Sequence, residues 1–143
     1  MSSEDINILL VEDDEVDAEA VVRALQRLNV KNPLTIVTDG LEALNVLRGE
    51  AGRAPLPRPY IILLDLNMPR MNGIEFLDAL RQDPQLKRSV VFVLTTSNRP
   101  ADKIATYDRH VAGYLVKSRT GADFSELIML LDWYQRVVEF PPS

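Results

Sequence analysis

Five short apolar runs, each followed by a helix-like pattern, limit what this chain can fold into. They read INILLV (6–11), LTIVT (34–38), YIILLD (60–65), SVVFVLT (89–95) and AGYLVK (112–117). Runs of this length are strands, and their apolar residues do not alternate with polar ones, which predicts burial on both faces. Such strands belong in a parallel sheet with helices on each side. Between the first two runs, 14–28 carries Val21, Ala24, Leu25 and Leu28 on one helical face, and Asp14 with Asp17 marks its start. Further helices are expected over 39–49, ended by Gly49, over 72–82, stopped by Asp83-Pro84, from Pro100 onward, and over 122–140. The stretch EAGRAPLPRP (50–59) reads as a loop. Five βα units joined by right-handed crossovers predict an α/β fold. The expected form is an open, doubly wound five-stranded parallel sheet of flavodoxin-like order 2-1-3-4-5, flanked by five helices.

Length and charge narrow the class. A chain of 143 residues makes one domain, expected over 1–143 with its core over about 6–132. With 46% apolar and 26% charged residues it can bury a real core. There is no cysteine, which removes disulfides and thiolate metal sites and fits a reducing cytoplasm. The acidic opening MSSEDIN leads straight into a strand, so no secretory signal is expected. No apolar stretch approaches the roughly 20 residues of a membrane helix. Net charge is −5 without a basic block, which argues against direct binding of nucleic acid.

In an open α/β sheet the carboxyl ends of the strands form the binding edge. Here they carry Glu12-Asp13-Asp14, Asp65, Thr95-Thr96-Ser97 and Lys117. With strands one and three adjacent, Asp13 and Asp65 fall close together. Neighbouring carboxylates repel unless one takes up a proton or a cation binds. Oxygen ligands without His or Cys select Mg²⁺ or a similar hard ion. Lys117 adds a point charge suited to a phosphoryl oxygen, and Thr95 adds a hydroxyl. These are the parts for moving a phosphoryl group onto an aspartate.

The segments LLVEDD (9–14), LLDLNMPRMNG (63–73), VLTTS (93–97) and GYLVK (113–117) together resemble the CheY-like receiver domains of response regulators. The resemblance implies a signalling protein, not an enzyme with turnover. In it, Asp65 accepts phosphate from a histidine kinase and the domain takes part in its own phosphorylation and dephosphorylation. It further implies that Asp13, Asp65 and the Asn67 main-chain carbonyl hold Mg²⁺, with Glu12 helping through water. Thr95 and Lys117 would contact the phosphoryl group, and Tyr114 would change rotamer together with Thr95. Two residues depart from the family pattern. Ser118 follows Lys117 where most receivers have a proline after a cis bond, and a cis bond before serine costs about 2.5–4 kcal/mol. Thr96 is bulkier than the usual residue there and should crowd the pocket. The loop 50–59, the Lys-Ser pair and the aromatic C-terminus resemble the stand-alone receivers encoded with bacterial phytochromes. No effector domain is expected after residue 143, so output runs through contact with another protein or relay to another phosphoprotein.

Other classes fit less well. A haloacid dehalogenase-type phosphatase needs Asp-x-Asp at the strand end, and Asp65-Leu66-Asn67 places an amide at the second position. A phosphorylation-independent scaffold leaves the complete set of site residues without a use. Asp14 is expected as a helix cap, Met68 and Met71 as loop packing, His110 as a surface residue and residues 4–5 as a solvated end.

The last helix carries two apolar stripes. At 100° per residue, Phe124, Leu127, Ile128, Leu131 and Val138 share the face toward the sheet. Met129, Leu130, Trp133, Val137 and Phe140 gather on the opposite face, where an aromatic patch marks an interface unless the tail folds back over it. A two-fold homodimer through this helix and the extension 133–143 is expected.

Overall fold

The computed structural model describes residues 6–121 and 123–142. The acidic pair Glu4-Asp5 and the expected helix start at Ala122 lie outside them. In chain order the elements are β1 (Asn7–Val11), α1 (Glu15–Arg27), β2 (Leu34–Val37), α2 (Gly40–Arg48), β3 (Tyr60–Leu64), α3 (Gly73–Gln82), β4 (Val90–Thr95), α4 (Pro100–Tyr107), β5 (Gly113–Val116) and α5 (Ser125–Val137). The strands form one parallel sheet in the order β2-β1-β3-β4-β5. Among the described residues, no helix is long and apolar enough to cross a membrane.

Alternate strand residues point to opposite faces, so the apolar runs feed two core layers. Leu9, Val11, Ile62, Leu64, Val91 and Val93 face α2 and α3, whereas Ile8, Leu10, Ile61, Leu63, Phe92 and Leu94 face α1 and α5. All five residues of β3 are buried, at about 1.5–3 kcal/mol each for side chains of this size. β3 is thereby the most firmly held strand, and Asp65 comes directly after it. The edge strands β2 and β5 are only partly buried, because each has a neighbour on one side alone.

Register sets the functional edge. β1 pairs with β3 so that Val11 lies opposite Leu64, and both strands end level. The Asp65 N–H donates to the Val11 carbonyl at 3.0 Å, and the Glu12 N–H to the Val37 carbonyl at 2.9 Å. On the other side Thr95 lies opposite Val116, which brings Lys117 to the same rim.

Local signals fix most helix ends. Asp14 caps α1 by accepting from the Val16 and Asp17 N–H groups, as expected. Asn72 and Glu75 form a reciprocal capping box on α3, and Pro100 occupies the first turn of α4. Leu28 is the C-cap of α1 and is exposed, so it adds little to the core face expected of it.

The C-terminus corrects two expectations. α5 stops at Val137, and Val138 is extended (φ −101°, ψ 132°), so helical periodicity no longer governs the tail. Val138, expected against the sheet, is exposed. Phe140, expected on the outward stripe, folds back onto its own chain. Its ring meets Tyr134 edge-on at 5.9 Å, and Tyr134 meets Phe92 in the same way at 4.9 Å. Met129, Leu130, Trp133 and Val137 remain exposed, Trp133 at 66% and Val137 at 69%.

Candidate functional site

Asp65 leaves a fully buried strand and is itself 6% exposed. Its Oδ1 is buried and, among the described residues, has no hydrogen-bond partner. An orphaned carboxylate oxygen costs free energy unless something binds it. Carboxylate oxygens of Glu12, Asp13 and Asp65 lie within 4.8 Å of one another, with Glu12 and Asp65 buried and Asp13 exposed. Burial pushes the Glu12 carboxyl up to about 7, with the Asp65 charge adding to it and Lys117 opposing. A hard divalent cation fits this set: it takes oxygen ligands, satisfies the lone Oδ1 and relieves the repulsion.

The cation of the site is Lys117, whose Nζ lies 2.7 Å from Glu12 Oε1, 2.7 Å from Asp17 Oδ2 and 3.9 Å from Asp65 Oδ2. Burial alone would pull its pKa down, but the bonds to Asp17 and Glu12 outweigh it and the net direction is up. The Lys117–Ser118 peptide bond is trans; among the described residues only Arg58–Pro59 is cis. Lys117–Arg119 forms a 3-10 turn, which Thr120 closes by donating its hydroxyl to the Lys117 carbonyl at 2.7 Å.

The loop after Asp65 is fastened at several points. Gly73 N–H donates to the Leu66 carbonyl at 3.0 Å, and Gly40 N–H to the Met71 carbonyl at 3.0 Å. Arg70, at φ 61°, donates through Nε and Nη2 to Oδ2 of Asp39, a buried carboxylate that also caps α2. Burial works against the ionised Asp39, but hydrogen bonds from the Glu42 N–H and Arg70 hold its pKa below the usual carboxylate range. Met68 and Met71 pack on the core beneath. Asn67 sits exposed on this loop.

Thr95 is fully buried and Thr96 is exposed. Tyr114 is half-buried, and its hydroxyl donates to the Ser97 carbonyl at 3.0 Å. Ser97 in turn donates its hydroxyl to Asp102 at 2.5 Å. The tyrosine therefore lies across the loop that begins with the threonine. His110 is exposed, in the turn between α4 and β5.

Residues 8–129 match the response regulator receiver domain family. The chain belongs to that family. This receiver is 41% identical over 132 residues to response regulator Rcp1 of Synechocystis sp., spanning 91% of its own length and 90% of that protein. The structure of Rcp1 in its Mn²⁺-bound form superposes with a TM-score of 0.83 at 39% identity, covering 96% of this chain and 99% of that one. The phosphorylated cyanobacterial phytochrome response regulator RcpA gives a TM-score of 0.86 at 35% identity, with the same coverage.

Two features of the receiver do not stand out in the sequence. Asp17 looks there like part of a helix start alone, yet it is a direct partner of Lys117. The signal available is its place: it sits in the first turn of α1, just after the Glu12-Asp13-Asp14 end of β1 and so close to the rim. The Asp39–Arg70 pair joins residues 31 apart, and nothing local foretells it.

Proposed function

We propose that this receiver accepts one phosphoryl group on Asp65 from a histidine kinase of the phytochrome type, in the cytoplasm, and signals by protein contact. A carboxylate oxygen of Asp65 attacks phosphorus as the bond from phosphorus to the kinase imidazole nitrogen breaks. Mg²⁺ held by Asp13, Asp65 and the Asn67 main-chain carbonyl, with Glu12 through water, would offset the charge of the carboxylates and the transferred group. Lys117 supplies a fixed positive charge for a phosphoryl oxygen, and the Thr95 hydroxyl supplies a donor. Tyr114, already tied to Ser97, couples occupancy of the site to the surface around α4 and β5.

One observation carries the reading: a buried carboxylate with an unpartnered oxygen, packed among two further carboxylates and a lysine. The similarity to RcpA, itself a phosphorylated phytochrome response regulator, supports both the reaction and the kinase class. The test is incubation with acetyl phosphate and Mg²⁺, followed by intact-mass measurement. One phosphoryl group should add to the parent, stable in acid and labile in base, and none to a folded Asp65→Asn variant. An adduct that persists in Asp65→Asn sinks the assignment.

The receiver is further proposed to be a two-fold homodimer built on α5. Its support is the outward stripe of Met129, Leu130, Trp133 and Val137, which a monomer leaves in water. Phe140 contributes indirectly, by bracing Tyr134 from inside the protomer. A Trp133→Glu substitution should convert a dimer to a monomer in sedimentation at micromolar concentration, with the melting temperature of the protomer little changed. Unchanged mass in solution would count against the interface.

A further inference from the structure

Lys117 does not rest on Asp65. Its ammonium group has three protons to donate. Two go to Glu12 and Asp17, each at 2.7 Å, while Asp65 stands at 3.9 Å, beyond hydrogen-bond reach. Glu12 belongs to the carboxylate cluster, but Asp17 does not. It lies in the first turn of α1, half-buried, with its own N–H held by the Asp14 cap at 3.2 Å. That cap and the buried neighbour Ala18 fix where the Asp17 carboxylate stands. The lysine is therefore gripped from the α1 side of the site, away from the phosphoacceptor.

We propose that Asp17 is a positioning residue that holds Lys117 in its resting place and competes with the phosphoryl oxygens for it. The proposal rests on Asp65 being the phosphoacceptor. With acetyl phosphate, the new bond joins an Asp65 oxygen to phosphorus, the bond from phosphorus to acetate breaks, and acetate leaves as the anion. Lys117 keeps its protons throughout. Phosphorylation adds about one negative charge at Asp65, and the lysine must share its hydrogen bonds with the new oxygens at the expense of Asp17. The Asp17 carboxylate also stands as a further negative charge beside the product. Both effects disfavour the phosphorylated state, so Asp17 shortens the life of the signal.

The test compares the parent with Asp17→Asn and Asp17→Glu at saturating Mg²⁺, with acetyl phosphate as donor so that kinase docking plays no part. The amide preserves shape and removes the charge. In Asp17→Asn, the donor concentration giving half-maximal phosphorylation should fall roughly tenfold, the worth of one charge-assisted hydrogen bond. The adduct should decay several-fold more slowly after the donor is removed. Asp17→Glu should restore parent-like values. A second readout needs no variant: the side-chain carboxyl carbon signal of Asp17 in NMR spectra should shift when the parent is phosphorylated. A labelled parent with an unmoved Asp17 signal, or a folded Asp17→Asn that phosphorylates no more readily, overturns the proposal and leaves Asp65 untouched. A parent that takes no label overturns the phosphoacceptor reading, and this one with it.

Discussion

Replacing Lys117 with methionine should weaken the fold, tighten Mg²⁺ binding and slow phosphorylation, all in one variant. The lysine is 10% exposed and lies between Glu12 and Asp65, whose side chains are 2% and 8% exposed. Removing one partner of a buried charge group leaves the rest uncompensated, which typically costs about 3–5 kcal/mol. Glu12 already titrates near 7 and relieves part of that by taking up a proton, so the expected loss is about 3 kcal/mol. Thermal unfolding in the absence of divalent ions reads it as a fall of about 10 °C. The same vacated charge leaves the carboxylates more attractive to a cation, so calorimetry should show a lower Kd for Mg²⁺ than in the parent. Phosphorylation moves the other way. A preorganised donor to a transferring group contributes about 10²–10³ in rate, and the labelling rate with acetyl phosphate should drop by about that factor. General misfolding instead lowers the stability and the labelling rate and raises the Mg²⁺ Kd. Tighter metal with slower labelling is the signature of a lost cation at this site, and weaker Mg²⁺ binding would contradict the arrangement.

The rim is legible in the sequence because the same local rule places each of its parts. An apolar run ends, and the next residue emerges at the sheet edge: Glu12 after Val11, Asp65 after Leu64, Lys117 after Val116. Strand order then makes neighbours of the ends of β1 and β3. Features beyond the reach of that rule depend on distance across the fold. Asp17 and Lys117 are 100 residues apart, and a short helix-start aspartate looks the same whether it caps or binds a lysine. The Asp39–Arg70 clamp depends on a left-handed residue in a loop, a conformation that arginine does not announce. The tail departs from its pattern for a different reason. A helical wheel assumes the helix continues, and a single extended residue at Val138 turns Phe140 from the outward stripe to its own protomer's core. The four outward residues before that break keep their predicted side.

Gly73→Ala should cripple phosphorylation while leaving most of the fold standing. Alanine is the better helix former by about 1 kcal/mol, and Gly73 opens α3 at an ordinary backbone angle, so propensity alone favours the change. Space decides against it. A methyl group there would come within 2.8 Å of the Asp65 carbonyl oxygen and 2.8 Å of the Leu66 Cα, both main-chain atoms. Neither is the far end of a flexible side chain, so the backbone carrying Asp65 has to move or α3 has to tilt. Overpacking of this kind costs about 1–3 kcal/mol. The cost in function should be larger in proportion, because a displacement on the order of 1 Å at a reacting group can lower a rate by about 10². The capping box of Asn72 and Glu75 and the Gly73–Leu66 hydrogen bond pull the helix start back against the strand, so the strain falls on Asp65 and is not released into solvent. Chemical denaturation should show a modest loss beside roughly a hundredfold slower labelling by acetyl phosphate, with the Mg²⁺ Kd raised as well, since Asp65 is also a proposed ligand. Parent-like labelling and metal affinity in Gly73→Ala would mean that the close approach of α3 to the end of β3 does not hold Asp65 in place.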